Sequence, residues 1–143
     1  MSSVTITAKV SIEGLLGNCA NEASEKSSVA TIIVCGLPFD NYGKISWQDE
    51  MARLYNLAVG LSYEPDYKAY ILLTVGKNQN AKQIKNHVRK MAKYLETIKI
   101  SKARLIFAIE TSEYHSTSFY VVPEGAKLPS CDGCEIFEGK DIR

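Results

Sequence analysis

Hydrophobic and polar residues alternate near the start of the chain, over residues 4–12. A period of two predicts a strand with one buried face. Residues 29–35 are instead a continuous apolar run, which indicates a strand covered on both faces. Residues 13–27, which contain several Gly, Asn and Ser residues, are predicted to connect the two strands as a loop. Residues 36–43 are predicted to form a turn after the second strand.

Two later segments have the period of amphipathic helices. The first begins near Ser46, which precedes Asp49 by three residues, as a helix N-cap residue precedes an acidic partner. Its apolar stripe comprises Trp47, Met51, Leu54, Ala58 and Leu61, and Leu57 flanks the stripe. The second helix is predicted over residues 81–98. Its stripe comprises Ile84, Val88, Met91, Leu95 and Ile98, the strongest periodic signal in the chain.

Apolar residues at 67–75, 103–109 and 118–122 predict three further strands, the last two paired through a turn at residues 113–116. The element order is therefore β-β-α-β-α-β-β. We expect an α+β fold, a two-layer α/β sandwich in which two helices pack on a single sheet of about five strands. Residues 1–122 are predicted to form one domain, and residues 123–143, with several Gly and Pro residues, an irregular tail.

Charge is distributed unevenly along a chain whose net charge is only +1. Residues 77–104 contain nine Lys or Arg residues and one acid, Glu96, and so carry a net charge of +8. The rest of the chain carries −7. Segregation of this kind produces a strong local field in a nearly neutral molecule.

The positive charge lies mainly on the second predicted helix. Lys82, Lys85, Arg89 and Lys93 fall within an arc of about 80° opposite the apolar stripe, and Lys90 lies beside them. Like charges four residues apart cost an isolated helix a few tenths of a kcal/mol each, so helix stability does not explain the pattern. We therefore predict that these five residues bind an anionic partner, which is a nucleic acid, a nucleotide or an acidic protein surface.

Two other functions remain open. The first alternative is a small inhibitor, immunity or accessory protein that docks onto another protein, which the size and near-neutral charge fit equally well. The second is an enzyme that acts on a nucleotide or phosphate ester with His115 as acid or base. The second needs another catalytic group, and the sequence names none, since His87 reads as a boundary residue of its helix. Asp49 and Glu50 occupy a first helical turn, where the helix dipole favours acids in any case. A binding module without a catalytic residue is thus the first expectation.

Cys131 and Cys134 form a Cys-x-x-Cys motif, whose spacing suits two ligands of a zinc ion. A second such pair is missing, so they are weak metal candidates and no cofactor is predicted. The sequence has no apolar run long enough to span a membrane and no export signal, so we expect a cytoplasmic protein with reduced thiols and no membrane partner. A homodimer through the edge of the last strand is compatible with every hypothesis.

Overall fold

The structure is a computed structural model that describes the backbone of residues 4–11 and 22–29, and the backbone and side chains of residues 36–142. The chain divides into two compact units, residues 1–33 and residues 34–143. In the first unit β1 (Val4–Ser11) and β2 (Glu22–Val29) pair antiparallel. The strand predicted from the period of two is confirmed.

The loop predicted over residues 13–27 is wrong for residues 22–27, which belong to β2. Glu, Ser and Lys dominate β2, and pairing with β1 over eight residues overrides their weak strand preference. The strand predicted at residues 29–35 lies outside the described residues beyond Val29.

The second unit contains one mixed five-strand sheet and two helices. Along the chain they are β3 (Leu37–Tyr42), α1 (Trp47–Tyr63), β4 (Lys68–Gly76), α2 (Ala81–Thr97), β5 (Leu105–Ser112), β6 (Ser116–Val122) and β7 (Glu135–Glu138). The strand order is β3-β6-β4-β5-β7. β4 and β5 are parallel and joined through α2, whereas the other neighbouring strands are antiparallel. The predicted two-layer α+β fold with about five strands is confirmed.

Three details of the sheet differ from the prediction. Residues 37–42 form β3 rather than a turn, because they pair with β6 through a bulge between Pro38 and Asp40. β5 and β6 do not form a hairpin, since β4 lies between them and pairs with both. The tail is not irregular throughout, because β7 pairs antiparallel with β5. In each case a pairing between distant segments outweighs the local turn signal.

The two faces of the sheet are covered differently. Alternate residues of β4 and β5, such as Ile71 and Phe107, face the main core together with the apolar stripes of both helices. Their neighbours, such as Tyr70 and Ala108, belong to a smaller core that includes Ala126 and Cys134 of the C-terminal segment. β4 is therefore buried on both sides, which explains its nearly continuous apolar sequence.

Candidate functional site

Helix α2 carries most of the predicted partner-binding residues, and its two ends are clearly defined. The side chain of Asn80 caps the N-terminus by accepting a hydrogen bond from the Lys82 amide at 2.9 Å. At the C-terminus the Ile100 amide donates to the Leu95 carbonyl at 2.9 Å, and Lys99 adopts a positive φ of 72°. This is the left-handed turn that commonly ends a helix. Between the ends, Val88, Met91, Ala92 and Leu95 are buried.

The five basic residues predicted to bind a partner all lie exposed on α2. They are Lys82, Lys85, Arg89, Lys90 and Lys93, and we call them the basic face. With Glu96 as the one acid, residues 81–97 carry a net charge of +4. Neither an acid in the first turn nor a basic residue in the last turn offsets the helix dipole. The charge pattern of α2 therefore opposes its own dipole, and local helix stability does not account for it.

One flank of the basic face meets acids from the C-terminal segment. Lys85 Nζ lies 3.9 Å from Glu135 Oε1 of β7, and both side chains are more than half exposed. Lys85, Arg89, Glu135 and Asp141 line one groove of about 400 Å³ beside α2. Arg89 also donates to Asn86 Oδ1 at 3.0 Å. The exposed Lys85–Glu135 pair contributes little stability at its distance of 3.9 Å. Glu135 therefore weakens the positive field of the basic face without neutralising it.

The other flank carries an aromatic side chain. Lys90 Nζ lies 3.9 Å from the centroid of the Trp47 ring, a cation–π contact. Trp47 is half-buried at the start of α1, and its ring makes edge contacts with Tyr94 and His87 at centroid distances of 6.0 and 6.3 Å. Lys82 and Lys93 form no ion pair with any carboxylate in residues 36–142.

Two basic residues of the charged segment have structural contacts instead. Arg104 donates to three backbone carbonyls, those of Leu61, Glu64 and Tyr67, at 2.7 to 2.9 Å. It thereby ties the end of α1 and the following loop to the start of β5. Lys102 Nζ lies 3.6 Å from Glu96 Oε2. The charge count of residues 77–104 therefore overstates the charge available to a partner.

A cleft of about 290 Å³ lies on the Trp47 side of α2. Its lining residues are Lys44, Ile45, Glu50, Leu73, Val75, Gln79, Gln83, Ile84, His87 and His115. The structure thus brings both histidines of the chain to one cleft, which spacing in sequence did not reveal. His115 is the last residue before β6, and its Nδ1 lies 3.4 Å from Gln79 Nε2. We call this site the two-histidine cleft.

A buried carboxylate orients one of these histidines. Glu50 is 4% exposed, and its Oε1 accepts a 2.9 Å hydrogen bond from the Tyr42 hydroxyl. The same oxygen lies 3.1 Å from His87 Nε2. Burial, followed by the nearby Glu50 carboxylate, raises the pKa of Tyr42 above its ordinary value of 10.0. The hydroxyl therefore stays protonated and donates, and His87 is held by its Nε2 edge.

Sequence reasoning missed Glu50 and Lys44 at this site. The helix dipole already favours an acid in the first turn of α1, so the presence of Glu50 there did not indicate that its side chain is buried. Lys44 lay between the turn predicted at residues 36–43 and the helix predicted from about Ser46. The helical period of α1 contains the missing signal, because Glu50 lies one turn before Leu54 and two turns before Leu57, on the buried side of the helix.

The weak metal candidates Cys131 and Cys134 lie next to each other, with their Cα atoms 5.6 Å apart. The tight turn at Gly133, with φ of 73°, brings the two cysteines together. No group of three or more His, Cys, Asp or Glu side chains within residues 36–142 is arranged to hold a metal ion.

Comparisons with known proteins assign no family to the chain. No protein-family model matches it, and no curated protein sequence is significantly similar to it. In the part of the chain that the structure describes, no helix is both long and apolar enough to cross a membrane. The functional argument therefore rests on the geometry of α2 and its surroundings.

Proposed function

We propose that this protein is a non-catalytic binding module that holds an anionic partner on the basic face of α2. The observation that carries the proposal is that five cations are exposed on one helix and that acids approach them from one flank alone in residues 36–142. Cations arranged along one surface attract anions and raise their rate of encounter. The cytoplasm is the proposed setting.

The cost of this arrangement to the helix supports a role in binding. Lys85 with Arg89, and Arg89 with Lys93, are like-charge pairs one turn apart. Lys82 adds a cation to the first turn, where the helix dipole is already positive. Each term costs a few tenths of a kcal/mol. The attraction of a bound polyanion to each cation would offset these repulsions.

Single-stranded nucleic acid is the first partner to test. A half-buried Trp47 ring lies directly beside Lys90 of the basic face. Basic side chains next to an aromatic ring are the combination that single-strand binding proteins use, because the ring stacks on a base and the cations contact phosphates. An acidic protein surface would use the cations but would gain less from the ring.

The test is fluorescence anisotropy of a labelled single-stranded oligonucleotide over a series of salt concentrations. The variant Lys82→Gln/Lys93→Gln removes two cations that have no ion-pair partner among residues 36–142. We expect weaker binding and a salt slope that is smaller by about 1.4, since each phosphate contact to a single strand contributes about 0.7. The matched control is Lys127→Gln, an exposed lysine outside α2, which should leave the slope unchanged.

Two outcomes would contradict the proposal. One is equal loss of binding in the Lys127→Gln control, which would show a response to net charge rather than to the basic face. The other is no oligonucleotide or heparin binding at low salt, together with a stable, salt-insensitive complex with a protein. That second outcome would favour the alternative, a small inhibitor or accessory protein.

A further inference from the structure

The two-histidine cleft is distinct from the basic face and has its own chemistry. Nearly every polar side chain that lines it can donate a hydrogen bond. The donors are the Lys44 ammonium, the Gln79 and Gln83 amides, and the His115 imidazole, whereas His87 already directs its Nε2 at Glu50. Lys44, Gln79, Gln83 and His115 are exposed, so an incoming ligand can reach them. Donors that converge from different elements are what an anion with several oxygens requires.

The one acid of the cleft is already engaged. Glu50 is 4% exposed, and its Oε1 contacts both the Tyr42 hydroxyl and His87 Nε2. Glu50 is therefore hydrogen-bonded within the protein, and little of its surface is exposed at the mouth of the cleft. His87 in turn is held in one orientation, with its other ring nitrogen not engaged by Glu50.

The floor of the cleft is apolar. Leu73 and Val75 of β4 are buried, and Ile84 of α2 completes the floor. An apolar floor limits water around the donors, and hydrogen bonds to a charged ligand are stronger in such surroundings. The volume of about 290 Å³ is near the lower end for small-molecule sites, which suits a phosphate group carrying a small organic substituent.

We propose that the two-histidine cleft binds a tetrahedral oxyanion, the phosphate group of a small phosphate ester. Lys44 and His115 contact the phosphate oxygens from the open side, and the Gln83 amide donates to them from α2, beside His87. Phosphate binding in the two-histidine cleft does not depend on the basic face. Binding of a macromolecule to the basic face likewise does not depend on the two-histidine cleft.

The experiment follows the imidazole nitrogens of His87 and His115 by ¹⁵N NMR as inorganic phosphate, sulfate or chloride is added at matched ionic strength. Phosphate and sulfate should produce saturable shifts at both rings, and chloride should not. Phenyl phosphate should bind more tightly than inorganic phosphate, because its ring covers the apolar floor. Each of the variants Lys44→Gln and His115→Gln should weaken phosphate binding about tenfold, the usual effect of losing one charge-assisted hydrogen bond.

The control variant is Lys85→Gln, which removes a basic-face cation outside the cleft and should leave phosphate binding unchanged. Lys44 and His115 are exposed, so both variants should keep the wild-type melting temperature. The inference is overturned by non-saturable shifts, or by phosphate binding that Lys85→Gln weakens and Lys44→Gln does not. Because the Lys44→Gln variant keeps the whole basic face, its oligonucleotide affinity shows whether the proposed function survives independently.

Discussion

Replacing Tyr42 with Phe tests the hydrogen-bond network behind the two-histidine cleft most sharply. The substitution removes the hydroxyl that donates to Glu50 Oε1 at 2.9 Å and leaves the ring in place. The ring should keep its edge contact with Phe119, at a centroid distance of 5.4 Å, and its position under the Arg53 guanidinium. The measured loss therefore reports the hydroxyl rather than the packing.

The magnitude follows from the burial of the acceptor. A hydrogen bond to a charged group contributes about 1.5–3 kcal/mol, and Glu50 is 4% exposed, so water cannot replace the lost donor. His87 Nε2 still lies within hydrogen-bond distance of the carboxylate, which keeps the loss below the 3–5 kcal/mol typical of a broken buried ion pair. We expect Tyr42→Phe to lower the free energy of unfolding by about 2 kcal/mol.

Urea denaturation at neutral pH measures this loss, with Tyr63→Phe as the control because Tyr63 is 79% exposed. The control should change the free energy of unfolding by less than about 0.5 kcal/mol. In a Glu50→Gln background, Tyr42→Phe should cost clearly less, because the charged acceptor is gone. An equal cost in both backgrounds, or a cost no larger than that of the control, would refute the role assigned to Tyr42.

The same variant has a defined pH dependence. The pKa of Tyr42 is raised in the folded protein, so its contribution to stability is complete below pH 10.0 and is lost as the pH rises above that value. Unfolded chains release the Tyr42 proton there, and folded chains do not. The advantage of the wild type over Tyr42→Phe should shrink by about 1.4 kcal/mol per pH unit above this point. A constant difference across that range would contradict the assignment.

The remaining predictions concern stability and use urea denaturation. Arg104→Met should lower the free energy of unfolding by about 2–4 kcal/mol, because three backbone carbonyls lose a charged donor. A change near zero would contradict the role of Arg104 in tying the end of α1 to the start of β5. Gly139→Ala should lower the free energy of unfolding by about 1–3 kcal/mol, because its new Cβ would lie 2.5 Å from the Lys102 carbonyl oxygen. In the control Gly76→Ala the new Cβ meets nothing within 4 Å, so the loss should be less than about 1 kcal/mol. Lys99→Gly should stabilise the protein by about 0.5 kcal/mol, because it relieves a positive φ of 72°, and destabilisation would count against that turn.

Helices and buried strands were predictable because each has a strong local signal. The apolar stripe of α2 placed its boundaries within one residue, and Ser46 was correctly identified as the N-cap of α1. The apolar run of β4 marked a strand covered on both faces. In these segments local pattern and tertiary packing agree.

The edges of the sheet were not predictable in the same way. β3 contains Pro38, Asp40 and Asn41, which are turn formers, and becomes a strand because it pairs with β6. β7 has four residues in a tail with several Gly and Pro residues, and pairs with β5. Short edge strands depend on partners far away in sequence, and a local window does not contain those partners.

The two candidate sites differ in the same way, because one lies on a single helix and the other joins segments that are distant in sequence. The basic face was visible in the sequence, because a helical projection needs only one element. The two-histidine cleft draws residues from α1, β4, α2 and three connecting segments. Its assembly depends on the sheet order, in which β6 lies beside β4 rather than β5. The sequence therefore identified His115 as a candidate without a partner. Only the folded structure brings His87, Glu50 and Lys44 to the same cleft.

The salt dependence of oligonucleotide binding by the wild-type protein tests the central claim most directly. If all five cations of the basic face contact phosphates of a single strand, the logarithm of the binding constant should fall with the logarithm of salt concentration with a slope of about −3.5. Charge reversal of Lys85 and Arg89 to Glu should abolish that binding at physiological salt. A slope near zero, or full binding by the reversed variant, would contradict the assignment of the basic face as the binding surface.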